Sequence, residues 1–193
     1  AYGVTLIEDD SYGELVFDGR RPRALKSMDP DGVIYIGSLS KVLAPGYRIG
    51  WVSGGRWHAD IALAHGAMVM SAPSPTQLAA ASFLAGVGMA HQLKRLRSRY
   101  EKNMTRFVDV IRDVSPRLSR MTRPLGGHFL WLPILEPLDS ITVANSAIAR
   151  GISVAPGVLF TTMDLGHRYL RLNTALPFNR RVEEALRTVG KLI

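Results

Sequence analysis

Ser38-Leu39-Ser40-Lys41, followed seven residues later by Arg48, sets one amine beside two hydroxyls and a guanidinium. A lysine can attack a carbonyl and form a Schiff base when its surroundings keep part of it unprotonated. Hydroxyls and a guanidinium suit a phosphate. The combination makes Lys41 a candidate for cofactor chemistry. Two further groups could join it. Glu8-Asp9-Asp10 closes an apolar run, with Tyr12 three residues beyond Asp9. Arg171 stands in Tyr169-Leu170-Arg171-Leu172-Asn173, and burying an arginine placed between two leucines calls for an anionic partner. Each group alone has an ordinary reading: acids after a strand serve as turn formers or helix caps, and single lysines as surface charges. Asp9 and Asp10 differ only by register, which reverses the side a strand residue faces.

The elements that must position these residues follow from periodicity. Val4–Ile7, Val33–Gly37 and Ile49–Val52 read as strands, and 56–70 reads as a helix after the turn Gly54-Gly55. Lys41 then lies just beyond a strand end, where open α/β sheets bind ligands. The alternation predicts an α/β layer with a largely parallel sheet. Pro73 and Pro75 interrupt it, and Thr76 is placed to cap a helix running to about Gly86. From His91 to Val114, Leu93, Leu96, Tyr100, Met104, Phe107, Ile111 and Val114 recur at steps of three and four, one face of a long helix that Pro116 ends. Shorter elements follow: a strand over 128–132, a helix over 140–150, strands over 152–155 and 169–172, and a closing helix over 181–193. The expected division is 1–90 for one α/β part and 91–193 for the long helix with a smaller α+β lobe.

Composition narrows the function classes. The 193 residues are 47% apolar and 21% charged, a globular balance. With no cysteine, disulfides and thiolate zinc sites are excluded, and a cytoplasmic protein is expected. The five histidines show no metal-binding spacing. The apolar window 61–70 is broken by His65 and Gly66 and is too short for a bilayer span. Net charge is +8, and six of thirteen residues from Lys94 to Arg106 are basic against the single acid Glu101. That cluster reads chiefly as a solvated helix face, with attraction for nucleic acid as the other possibility. Ser38-x-x-Lys41 also fits a serine–lysine hydrolase, but the Lys-Thr-Gly and Ser-Asp-Asn elements such enzymes need are missing. Gly54-Gly55 and Gly126-Gly127 lack dinucleotide-binding spacing. His128 reads as packing or as a substrate rim.

Taken together, these residues resemble the class I/II aminotransferase family of fold-type I pyridoxal-phosphate proteins. The matching pieces are Glu8-Asp9-Asp10-Ser11-Tyr12, Ser38-Leu39-Ser40-Lys41 with Leu43 to Trp51, Gly126 to Trp131, Ala155-Pro156-Gly157 and Leu170 to Asn173, in family order over nearly the whole chain. The fold this implies is the C-terminal part of a pyridoxal-phosphate-dependent transferase: a parallel-sheet remnant plus a smaller α+β lobe. The resemblance implies that Lys41 holds pyridoxal 5′-phosphate as an internal aldimine and moves the substrate proton. It implies that Asp9 pairs with the pyridine nitrogen and Tyr12 bonds the ring's 3-oxygen. Ser38, Ser40 and Arg48 would hold the phosphate, and Arg171 would grip a carboxylate in a bidentate fork.

A strand-like start at Val4, without an initiator methionine, sets the expectation of a C-terminal piece. Family members carry an N-terminal half with a phosphate-binding loop, a ring-stacking aromatic and an asparagine near the 3-oxygen, and they build their sites across a homodimer. Alone, this chain is expected to bind the cofactor poorly and not to transaminate. Two functions share every residue named. The favoured one is the effector-sensing domain of a MocR-type regulator, whose DNA contacts come from a GntR-type winged helix in a missing N-terminal domain. The wording of residues 8–15 and 40–51, the basic helix and Arg181 to Leu186 carry that resemblance. The alternative is an aminotransferase acting on an amino acid and a 2-oxo acid. Either way the ligand is an amino acid or another small amine or carboxylate, with no membrane partner.

Overall fold

The computed structural model describes residues 4–118 and 121–193. It divides into two compact units, Ala1–Arg97 and Ser98–Ile193.

In the first unit, β1 (Leu6–Asp9), β2 (Val33–Ser38) and β3 (Gly50–Ser53) form a sheet in that order. β1 runs parallel to β2, with Asp9 beside Ile36, whereas β3 is antiparallel to β2, with Ser38 opposite Gly50. The parallel remnant is therefore the β1–β2 pair, and the expectation of parallel pairing does not extend to β3. The eleven residues between Ser38 and Gly50 turn back directly as one tight loop, and a parallel return needs a longer crossover. Gly37 has to be glycine: a Cβ there would fall 2.2 Å from the indole of Trp51, its cross-strand partner. Leu15, Val33, Leu39 and Val42 are buried.

The helices α1 (His58–Val69, led in by a short 3-10 turn at Gly55–Trp57) and α2 (Ser74–Ala85) follow. Thr76 does not cap α2. It lies inside the first turn, and its hydroxyl donates back to the Pro73 carbonyl at 2.9 Å. Neither helix has a polar stripe opposed to an apolar one, and Leu63, Met68, Met70 and Leu78 are exposed. A helix apolar all round belongs in the interior of a larger body.

The long helix α3 (Gly88–Val114) crosses the division between the units. Its predicted apolar stripe is buried at Leu96, Tyr100, Met104, Phe107 and Ile111. In the second unit, β4 (Phe129–Pro133), β5 (Ala155–Pro156) and β6 (Tyr169–Asn173) form an antiparallel sheet in the order β4-β6-β5. The strand expected over 152–155 is reduced to the two residues that pair with β6. Leu130, Leu132, Leu170 and Leu172 alternate onto the core face with Val143, Ala144 and Ala147 of α4 (Ser140–Ile148) and with Leu186 and Val189 of α5 (Arg180–Lys191). Asp139 caps α4 by accepting from the Ile141 and Thr142 amides, and Asn179 caps α5 through Val182.

Candidate functional site

The topology of the first unit sets its chemistry at one end of one sheet. Because β1 and β2 are parallel, Asp9 and Ser38 finish at the same edge, and the Ser38–Gly50 pairing brings Arg48, two residues earlier, to that edge too. This is the carboxyl end of the parallel strands, where such sheets bind ligands.

The turn after β2 is held from within. The Ser38 hydroxyl accepts from the Ser40 amide at 3.1 Å and donates to the Ile49 carbonyl at 3.5 Å. Leu39 and Val42 are buried, which anchors both flanks of Ser40-Lys41. The Lys41 Nζ stands 5.7 Å from the centre of the Tyr12 ring. Arg48 Nη1 donates to the Ser40 hydroxyl and to the Pro45 carbonyl, each at 3.4 Å. Arg48 itself sits at φ 53°, ψ 41°, at the end of the 3-10 turn Pro45–Tyr47. That left-handed backbone is uncommon for a residue with a side chain and marks positions fixed by their surroundings. The guanidinium and the Ser40 hydroxyl together offer donors to one anion.

The three acids ending β1 divide by face. Glu8 accepts from the amides of Leu25 and Lys26, both at 3.0 Å. Asp10, on the same face two residues on, accepts from the Tyr35 hydroxyl at 2.5 Å and from Arg21. Glu14 binds Arg21 at 2.5 Å and Arg97 at 3.2 Å, completing a chain of ion pairs. Asp9 faces the other way, and among the described residues its carboxylate accepts only from Ser11, by hydroxyl at 2.6 Å and by amide at 3.0 Å. The Ser11 hydroxyl first, and then its amide, hold the Asp9 carboxyl below its usual range. Asp9 is thus an exposed carboxylate kept ionised, while Asp10 is consumed by structure.

In the second unit, Arg171 pairs with Trp131 on one side and Ala155 on the other. Its guanidinium lies 3.6 Å from the centre of the Phe160 ring and 4.3 Å from that of Phe129. No acid or carbonyl accepts from it among the described residues, so a half-buried cation is left without an anion. Trp131 stacks on Tyr169 at 5.3 Å and meets Phe160 edge-on at 6.1 Å. Arg171 and Phe129 also line an open groove of about 1050 Å³ that continues past Arg181 and Glu184. His128 is buried against the rings of Tyr100 and Phe129, which makes it a packing residue.

The first unit therefore gathers Asp9, Tyr12, Ser38, Ser40, Lys41 and Arg48, and the second holds Arg171. Sequence reasoning gives neither Phe160 nor Phe129 a role, although Phe129 lies inside the Gly126–Trp131 piece and Phe160 three residues after Gly157.

The sequence matches the family model "Aminotransferase class I and II" over residues 1–189. The chain belongs to that family. It is 38% identical over its whole length to the uncharacterized HTH-type transcriptional regulator YdcR of Escherichia coli K12, of which it covers 41%. It is 31% identical, again over its whole length, to the uncharacterized aminotransferase SSO0104 of Saccharolobus solfataricus, covering 48%. Among solved structures it resembles LysN, the α-aminoadipate aminotransferase of Thermus thermophilus, with a TM-score of 0.84 and 27% identity over 98% of the chain and 50% of LysN. That structure contains N-(5′-phosphopyridoxyl)-L-leucine. The fold is thus that of the fold-type I aminotransferases, and the chain spans two-fifths to half the length of these relatives. No helix among the described residues is long and apolar enough to cross a membrane.

Proposed function

We propose that this chain is the pyridoxal-phosphate-binding, ligand-sensing domain of a DNA-binding transcription regulator. The observation that carries the cofactor assignment is the gathering of Lys41, Tyr12, Asp9 and the Ser40–Arg48 pair at one end of one sheet. In this reading Lys41 is the covalent attachment point and carries the ligand's proton. Asp9 holds the proton on the ring nitrogen, Tyr12 reaches the ring's 3-oxygen, and Ser38, Ser40 and Arg48 take the phosphate. When bound, the cofactor supplies an electron sink for charge developing at the ligand's α-carbon. Arg171, which has no anionic partner among the described residues, receives the α-carboxylate of an amino acid in a planar fork.

The regulator reading is supported by two HTH-type regulators at 38% and 36% identity, against 31% for the aminotransferase relative. The exposed apolar surfaces of α1 and α2 support a further part of the protein or a second subunit that covers them. We assign the rest of the pocket, the DNA-binding module and a homodimeric state to the full-length protein, in the cytoplasm.

The second reading is a working aminotransferase. The likeness to LysN supports it, because catalysis and sensing draw on the same residues. Fluorescence anisotropy of the full-length protein on its own upstream DNA separates the two. The regulator reading expects an affinity that responds to amino acids with Lys41 intact and not in Lys41→Ala. Absence of DNA binding together with steady amino-group transfer to a 2-oxo acid would establish the enzyme reading instead.

A further inference from the structure

The aromatic rings around Arg171 suit a role that the carboxylate assignment alone does not cover. A guanidinium has all of its N–H donors in its own plane and none on its faces. Phe160 at 3.6 Å and Phe129 at 4.3 Å pack against it, with Trp131 set edge-on behind Phe160 and stacked on Tyr169. Rings so placed remove water from the guanidinium and limit its rotation, while the in-plane donors stay available. Ala155, the neighbour of Arg171 on β5, offers only a methyl group and does not compete for those donors.

Phe160 comes from a different segment, three residues after the turn-forming Gly157. That glycine is fixed by close packing, since a Cβ there would meet the Gly166 carbonyl at 2.5 Å and the Tyr169 carbonyl at 2.7 Å. The loop carrying Phe160 is therefore tied to the start of β6, the strand that carries Arg171.

We infer that Phe160 is a positioning residue, holding the Arg171 guanidinium in the plane that presents a two-pronged donor to a planar carboxylate. This rests on the reading of Arg171 as the carboxylate receptor. A guanidinium free to rotate loses part of its fork on binding, so removal of Phe160 weakens the carboxylate contact and no other.

The test uses the full-length, cofactor-loaded protein and two probes with one handle each: 4-methylpentanoate, which has the carboxylate and no amine, and 3-methylbutylamine, which has the amine and no carboxylate. Isothermal titration calorimetry on wild type, Phe160→Ala, Phe160→Tyr and Arg171→Lys gives the affinities. Phe160→Ala is expected to weaken the carboxylate probe by about tenfold, to leave the amine probe unchanged, and to be rescued by Phe160→Tyr, which keeps a ring. Phe160 is 41% exposed, so its truncation leaves the fold intact. Equal weakening of both probes, or no weakening of either, overturns the inference. Loss of the carboxylate probe in Arg171→Lys but not in Phe160→Ala overturns the inference alone. An Arg171→Lys variant that binds the carboxylate probe as wild type does overturns the carboxylate reading, and the inference with it.

Discussion

Asp9 and Asp10 are consecutive and carry the same side chain, yet Asp10 accepts from Tyr35 at 2.5 Å and from Arg21, while Asp9, among the described residues, accepts only from its near neighbour Ser11. One carboxylate is structural and the other is available. Asp10→Asn is accordingly expected to destabilise the chain by about 1–3 kcal/mol, because Tyr35 and Arg21 lose a charged acceptor in a partly buried setting. Asp9→Asn is expected to leave stability nearly unchanged and to weaken cofactor retention. Urea unfolding and cofactor titration of the two variants check both halves, and the opposite pattern would exchange the roles.

Ser11 sets the acid limit of Asp9. The carboxyl of Asp9 is depressed in the folded chain, so its contribution to stability is complete above the unfolded value of about 3.9 and fades as pH falls through the lower folded value. Ser11→Ala removes the hydroxyl that is the main cause. The Asp9 titration midpoint, followed by carboxyl-carbon NMR, should then rise toward the ordinary carboxylate range. An unchanged midpoint would remove Ser11 as the cause.

Arg48 combines a left-handed backbone with the guanidinium beside Ser40. Replacement by glycine relieves the backbone cost, so Arg48→Gly is expected to be more stable by about 1 kcal/mol. The same change removes the charged donor, so affinity for inorganic phosphate and for the cofactor should fall. Arg48→Lys keeps the strain and a charge but not the planar fork, and should fall between wild type and glycine in cofactor affinity. Thermal unfolding with cofactor titration reads both quantities. A glycine variant that is both less stable and unimpaired in binding would contradict the assignment.

Asn103 on α3 is buried and donates to the carbonyls of Thr174 and Leu176, each at 2.8 Å, just past the strand that carries Arg171. Asn103→Ala leaves both carbonyls without that donor and opens a small void. The expected cost is about 2 kcal/mol, measured by urea denaturation; a cost near zero would mean that water takes over both contacts.

Much of this arrangement was legible in the residue pattern. Val33 to Ile36 marked a strand, which put Lys41 just past its end, and the three- and four-residue steps from Leu96 to Ile111 marked α3. The direction of β3 was not legible, because a short apolar run reads alike whether its partner is parallel or antiparallel. Residue pattern alone left Asp9 and Asp10 open and only the family resemblance favoured Asp9, because the difference between them depends on Arg21 and Tyr35, eleven and twenty-five residues from Asp10. The cover on Arg171 escaped for a similar reason: Phe160 lies on a loop eleven residues away, and only folding brings its ring to the guanidinium. Strand periods reveal which residues share a face, but not what a loop lays over that face.

The most direct measurement is borohydride reduction of the full-length protein loaded with pyridoxal 5′-phosphate, followed by peptide mapping. One phosphopyridoxyl group is expected, on the peptide containing Lys41, with no label in Lys41→Ala and little retention by the 193-residue chain alone. A label on another lysine, or full labelling of Lys41→Ala, would contradict it.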